Sequence, residues 1–123
     1  MKMKAIVEAA EKNDSSLWGY LVNAEVAFLK EAAKLIKKEA GGHAEKVEVK
    51  RGRSVAWLEY EGQDRSDMDM DFVAHLGIFE NSAKLYVRGK KVSRGSYDEE
   101  KTYALGALTT NDVLLVFREH FGV

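Results

Sequence analysis

The chain has 123 residues and a formal net charge of −1, with 46% of residues hydrophobic and 32% charged. That is enough apolar material for one buried core, and too even a charge for whole-molecule attraction to nucleic acid or an anionic membrane. Cysteine is absent, which excludes disulfides, thiolate catalysis and thiolate zinc sites and suits a reducing, cytoplasmic setting.

In chain order, Met3, Ile6, Val7 and Ala10 recur at helical spacing between Lys2 and Lys12, and N-D-S-S at 13–16 interrupts them. Glu8 and Glu11 fall too early for a secretory leader, and no apolar run approaches the eighteen or so residues that span a bilayer, so no membrane association is expected. From Leu17 the set Leu21, Ala24, Phe28, Ala32, Leu35 and Ile36 predicts the longest helix, which Gly41 and Gly42 close. The period then changes to two. V-E-V-K at 47–50, S-V-A-W-L-E-Y-E at 54–61, D-M-D-M-D-F-V-A at 67–74 and K-L-Y-V-R at 84–88 read as strands. G-K at 89–90 predicts a two-residue turn into a short basic edge strand from Lys91 to Arg94.

S-Y-D-E at 96–99 resembles a capping box and predicts a helix through Leu105. Thr109 or Thr110 caps a last helix whose stripe is Val113, Leu114, Val116, Phe117 and Phe121. The expected architecture is a single α+β domain over residues 1–123. It has two N-terminal helices, an antiparallel meander sheet of four to five strands and two C-terminal helices, with the helices packed on one sheet face.

The most unusual stretch is R-S-D-M-D-M-D-F at 65–72. A hairpin loop from Gly62 to Ser66 places Glu61 opposite Asp67, Glu59 opposite Asp69 and Trp57 opposite Asp71. Tyr60, Leu58, Met68, Met70 and Phe72 then share the other, apolar side. Five carboxylates beside Trp57, with Phe79 and Tyr86 on the same side, make an acidic and aromatic face of the kind that partner surfaces present. Lys46, Lys50 and Arg53 on one flank and Lys84 and Arg88 on the other can neutralise part of it.

Catalytic patterns fail on inspection. D-M-D-M-D begins like a calcium loop but has Phe72 at the glycine position and Ile78 at the final glutamate position. V-E-V-K shares the acid-x-lysine spacing of a widespread nuclease core and lacks its upstream aspartate strand. His43, His75 and His120 are too dispersed for a metal set, and the serines lack a nucleophile elbow.

Charge is segmented: Lys30–Arg53 carries +4, Val55–Asn81 −6 and Lys84–Arg94 +5. Such local fields steer docking and also suit a two-fold dimer that sets acidic against basic hairpins. The expectation is a non-enzymatic protein-binding module of inhibitor or immunity type, without cofactor or metal. It docks on a basic, nucleic-acid-binding type of protein surface through Trp57, Glu59, Glu61, Asp67, Asp69 and Asp71. One alternative is a metal-dependent enzyme on Asp67, Asp69 and Glu59. Another is a single-strand nucleic-acid binder on Trp57, Phe79 and Tyr86 with Lys50 and Arg88, which the intervening acids disfavour.

Overall fold

A computed structural model of the chain describes residues 17–79, 81–92 and 94–122, with side chains from Val22 onward. Helix α1 (Leu17–Ala40) follows the three-to-four spacing of its apolar residues: Ala24, Phe28, Leu29, Ala32 and Ile36 are buried while Lys30, Lys34, Lys37 and Lys38 are exposed. Gly41, at φ 55°, supplies the left-handed residue that ends it. A single turn of 3-10 helix (Gly41–His43) leads into β1 (Ala44–Arg51). Then come β2 (Ala56–Gln63), β3 (Asp69–Ile78), β4 (Ser82–Lys91), β5 (Gly95–Ala104) and helix α2 (Thr110–Phe121).

The strands form one antiparallel sheet in the order β1-β2-β3-β4-β5. Helix α1 packs on β1 and β2 and against α2, which reaches β3. The inward residues of the central strands, Leu58, Tyr60, Phe72, Ala74, Leu85 and Val87 among them, join the helices in one core. The rings of Tyr60 and Phe72 meet that of Phe117 edge to face, at 4.9 and 5.2 Å between centroids. The Tyr60 hydroxyl donates to the Gln63 carbonyl at 2.7 Å, and burial pushes its pKa up to about 12.

This arrangement corrects the expected one. The described residues hold one helix before the sheet and one after it, not two and two. The helix expected over Lys2–Lys12 lies outside the described residues. The one expected from Ser96 to Leu105 is instead the strand β5, laddered to β4 from Ser82↔Ala104 to Lys91↔Gly95. A ten-residue ladder outweighs a local capping preference worth about 1 kcal/mol. For the same reason Gly89 and Lys90 continue β4 instead of turning, and the chain reverses after Lys91, ahead of Gly95 at φ 79°.

The central hairpin is also displaced. Glu61 lies opposite Asp71, Glu59 opposite Val73 and Trp57 opposite His75. Gly62 is the cause, because it belongs to β2 and not to the turn: a Cβ there would lie 2.3 Å from the His43 carbonyl oxygen, so only glycine admits β1 so close. The loop begins instead at Asp64, whose Oδ1 accepts the Ser66 and Met68 amides at 2.8 and 3.1 Å, with Asp67 left-handed at φ 63°. The end of β2 and the start of β3 each move two residues along the chain, so the pairing shifts by four and face parity survives. Leu58, Tyr60, Met70 and Phe72 are buried, but Met68 falls in the loop and is exposed.

Candidate functional site: the uncovered sheet face

The side of the sheet away from the core is covered by no helix among the described residues. Its central rows run Lys46–Glu61–Asp71, Glu48–Glu59–Val73–Arg88–Asp98 and Lys50–Trp57–His75–Tyr86–Glu100. A groove of about 500 Å³ lies over Glu59, Glu61, Asp71, Val73 and Arg88, with Ser96 and Asp98 at its β5 end. A hollow of about 280 Å³ adjoins it between Trp57, His75 and Arg88. Gly77 shapes the far end of this face: a Cβ there would stand 3.1 Å from the Tyr86 ring, so the glycine gives that ring room beside β3. Tyr86 stacks on His75 at 4.8 Å and 13°. Burial first, then Arg88, holds the His75 pKa below its ordinary value.

The carboxylates on this face fall into two kinds. Glu59 is neutralised from within, accepting from Trp57 Nε1 at 2.8 Å and pairing with Lys50 at 3.1 Å and Lys46 at 3.4 Å. Those contacts, the Trp57 bond foremost, lower its pKa. Glu61 and Asp71 face each other directly across the ladder. Asp71 Oδ1 accepts the Lys90 amide at 2.7 Å, and neither carboxylate forms an ion pair among the described residues.

Of the six residues singled out in the sequence, Trp57, Glu59, Glu61 and Asp71 therefore come together. Asp69 stands at the rim, on the last rung opposite Gln63. Asp67 lies in the loop, its Oδ1 3.1 Å from His43 Nδ1. Asp67, Asp69 and Glu59 do not converge. Trp57 and Tyr86 share the face, whereas Phe79 is in the loop after β3 with Lys84 Nζ 5.8 Å from its ring centroid. Sequence reasoning missed Val73 as the floor of the groove, and it missed Asp98 because β5 read as a helix. Alternation of Tyr97, Glu99, Lys101 and Tyr103 with Ser96, Asp98, Glu100 and Thr102 was the available signal.

Beneath the other face, β4 and the central loop are tied to the end of α2. Lys91 and Asp64 are both buried, with Lys91 Nζ 3.6 Å from Asp64 Oδ2. Lys91 also donates to the His120 carbonyl, and the Arg65 amide donates to the Phe121 carbonyl at 2.8 Å. Two carbonyls that the helix end leaves open are thereby satisfied.

The described residues form an α+β meander with one sheet face that none of their helices covers. Comparison of the chain with protein-family models, with curated proteins and with solved structures found no match. Among the described residues no helix is long and apolar enough to cross a membrane.

Proposed function

We propose that the protein is a non-enzymatic binding module, acting in the cytoplasm, that docks the sheet face away from its core on a basic surface of another protein. The observation that carries this reading is the Glu61–Asp71 pair. Like charges directly opposite on a ladder destabilise it mildly, and this pair borders a groove with an apolar floor at Val73, which also floors the adjoining hollow walled by Trp57. A lysine or arginine of the partner between the two carboxylates would relieve that repulsion, and the half-buried Trp57 and Tyr86 would supply contact area at low entropic cost. The stripes of opposite charge on neighbouring strands would orient the approach.

The test begins with affinity capture from the native host and continues with the purified partner. The double variant Glu61→Gln/Asp71→Asn keeps hydrogen-bonding groups and removes both charges, and it should weaken the complex about tenfold or more. Asp67→Asn, remote from the groove, should leave affinity within about twofold, and added salt should slow association. Equal affinity for the parent and the double variant would exclude this face.

A further inference from the structure

On the opposite side of the sheet, at the β5 edge, Glu99, Glu119 and His120 each offer a ligand atom, and these atoms lie within 4.8 Å of one another. Glu99 points inward from the middle of β5, while Glu119 and His120 occupy the last turn of α2. His120 is buried and its ring is fixed in plane. Tyr97 stacks on it at 3.9 Å and 9°, and Phe72 lies at 6.3 Å on a tilt. Tyr97 is itself anchored, its hydroxyl donating to the Asp71 carbonyl at 2.5 Å across Gly89, where a Cβ would meet that hydroxyl at 2.4 Å. This chain of contacts sets Nε2 2.9 Å from Glu99 Oε1.

The geometry points to a binding site for a divalent transition ion, with zinc the best fit, formed by His120 Nε2 and the carboxylates of Glu99 and Glu119. Metal–ligand distances of about 2.0–2.2 Å place neighbouring ligand atoms roughly 3 Å apart, so the imidazole and Glu99 already stand at ligand spacing. Only the half-exposed Glu119 has to swing inward. One nitrogen and two carboxylates suit zinc or manganese better than magnesium or calcium, which favour all-oxygen shells. Three protein ligands leave room for water or a substrate atom on the ion.

Electrostatics agree. A single carboxylate would satisfy His120, yet a second stands beside it at a helix C-terminus, where the macrodipole disfavours negative charge and favours a cation. Lys101 partly fills that demand, with Nζ 2.7 Å from Glu119 Oε1. It is therefore a competitor for the ion.

Isothermal titration of the full chain with zinc chloride, followed by NMR of the imidazole resonances, tests the assignment. The expected result is saturable one-to-one binding that shifts the ring signals of His120 and not those of His43 or His75. Glu119→Gln and Glu99→Gln should each weaken binding at least tenfold, whereas Lys101→Met should tighten it severalfold by freeing Glu119. These polar or exposed substitutions spare the core, and unchanged circular dichroism confirms that the variants are folded. Absence of saturable binding up to 100-fold excess zinc would overturn the proposal, as would binding that both glutamine variants retain, or a shift confined to His43 beside Asp67.

Discussion

Replacing Lys91 with methionine should destabilise the fold by about 3–5 kcal/mol, the usual cost of removing one partner of a buried ion pair. The reason is what it leaves behind. Asp64 is 3% exposed, and burial by itself would raise its carboxyl pKa. The Met68 and Ser66 amides and the Lys91 ammonium instead hold it below the ordinary 3.8. Without Lys91 the carboxylate keeps its two amide donors and loses its countercharge, while the His120 carbonyl loses its donor. The double variant Lys91→Met/Asp64→Asn removes the stranded charge and keeps an acceptor for the loop amides, so it should recover about half the loss. Urea denaturation of the three proteins at pH 7 gives the measurement. A Lys91→Met cost below about 1 kcal/mol would mean that water reaches the pair. For the parent, a depressed Asp64 pKa means stability fully present above pH 4 and lost as the pH falls below it.

The second large effect belongs to Glu25 and runs the other way with pH. This carboxylate on α1 is 7% exposed, and its Oε2 has no hydrogen-bond partner among the described residues. Burial raises its pKa from 4.5 to about 7, partly offset by a backbone hydrogen bond from Ala56. Between those two values the folded chain holds a proton that the unfolded chain has released. Stability therefore falls as pH rises, by about 1.4 kcal/mol per unit and by roughly 3 kcal/mol over the whole window, and levels off above pH 7. Glu25→Gln keeps an acceptor for Ala56 and cannot ionise. It should match the parent near pH 5 and exceed it by about 1–3 kcal/mol at pH 8, as read from denaturation midpoints at the two pH values. Parallel profiles would show that the carboxyl is solvated.

Where one physical preference spoke alone, the sequence disclosed the fold. Phe28, Ala32 and Ile36 mark the buried stripe of α1, Gly41 its end, and Thr109 the start of α2, where the Thr109 amide donates to Asp112 Oδ2 at 2.7 Å. The parity of β2 and β3 was equally legible, since Leu58, Tyr60, Met70 and Phe72 permit one inward side. What stayed hidden depends on distant chain. Gly62 looks like a turn residue until the His43 carbonyl is placed beside it, and that displacement decides which aspartate faces Glu61. Strand β5 presents polar residues on both sides, so its alternation carries little hydrophobic contrast and the local S-Y-D-E pattern prevails on paper. The same misreading concealed Glu99, which is why His120 looked isolated among the three histidines.

The simple order of the strands has a kinetic meaning. Every ladder joins neighbours in the chain, so each hairpin closes across only a few residues and loses little chain entropy in doing so. The costly closure is the one that brings α1, at one end of the described chain, against α2 at the other, where Arg118 meets Glu39. The sheet can zip step by step and α1 can settle on the adjoining β1 and β2, whereas the apolar side of β3 stays wet until α2 arrives.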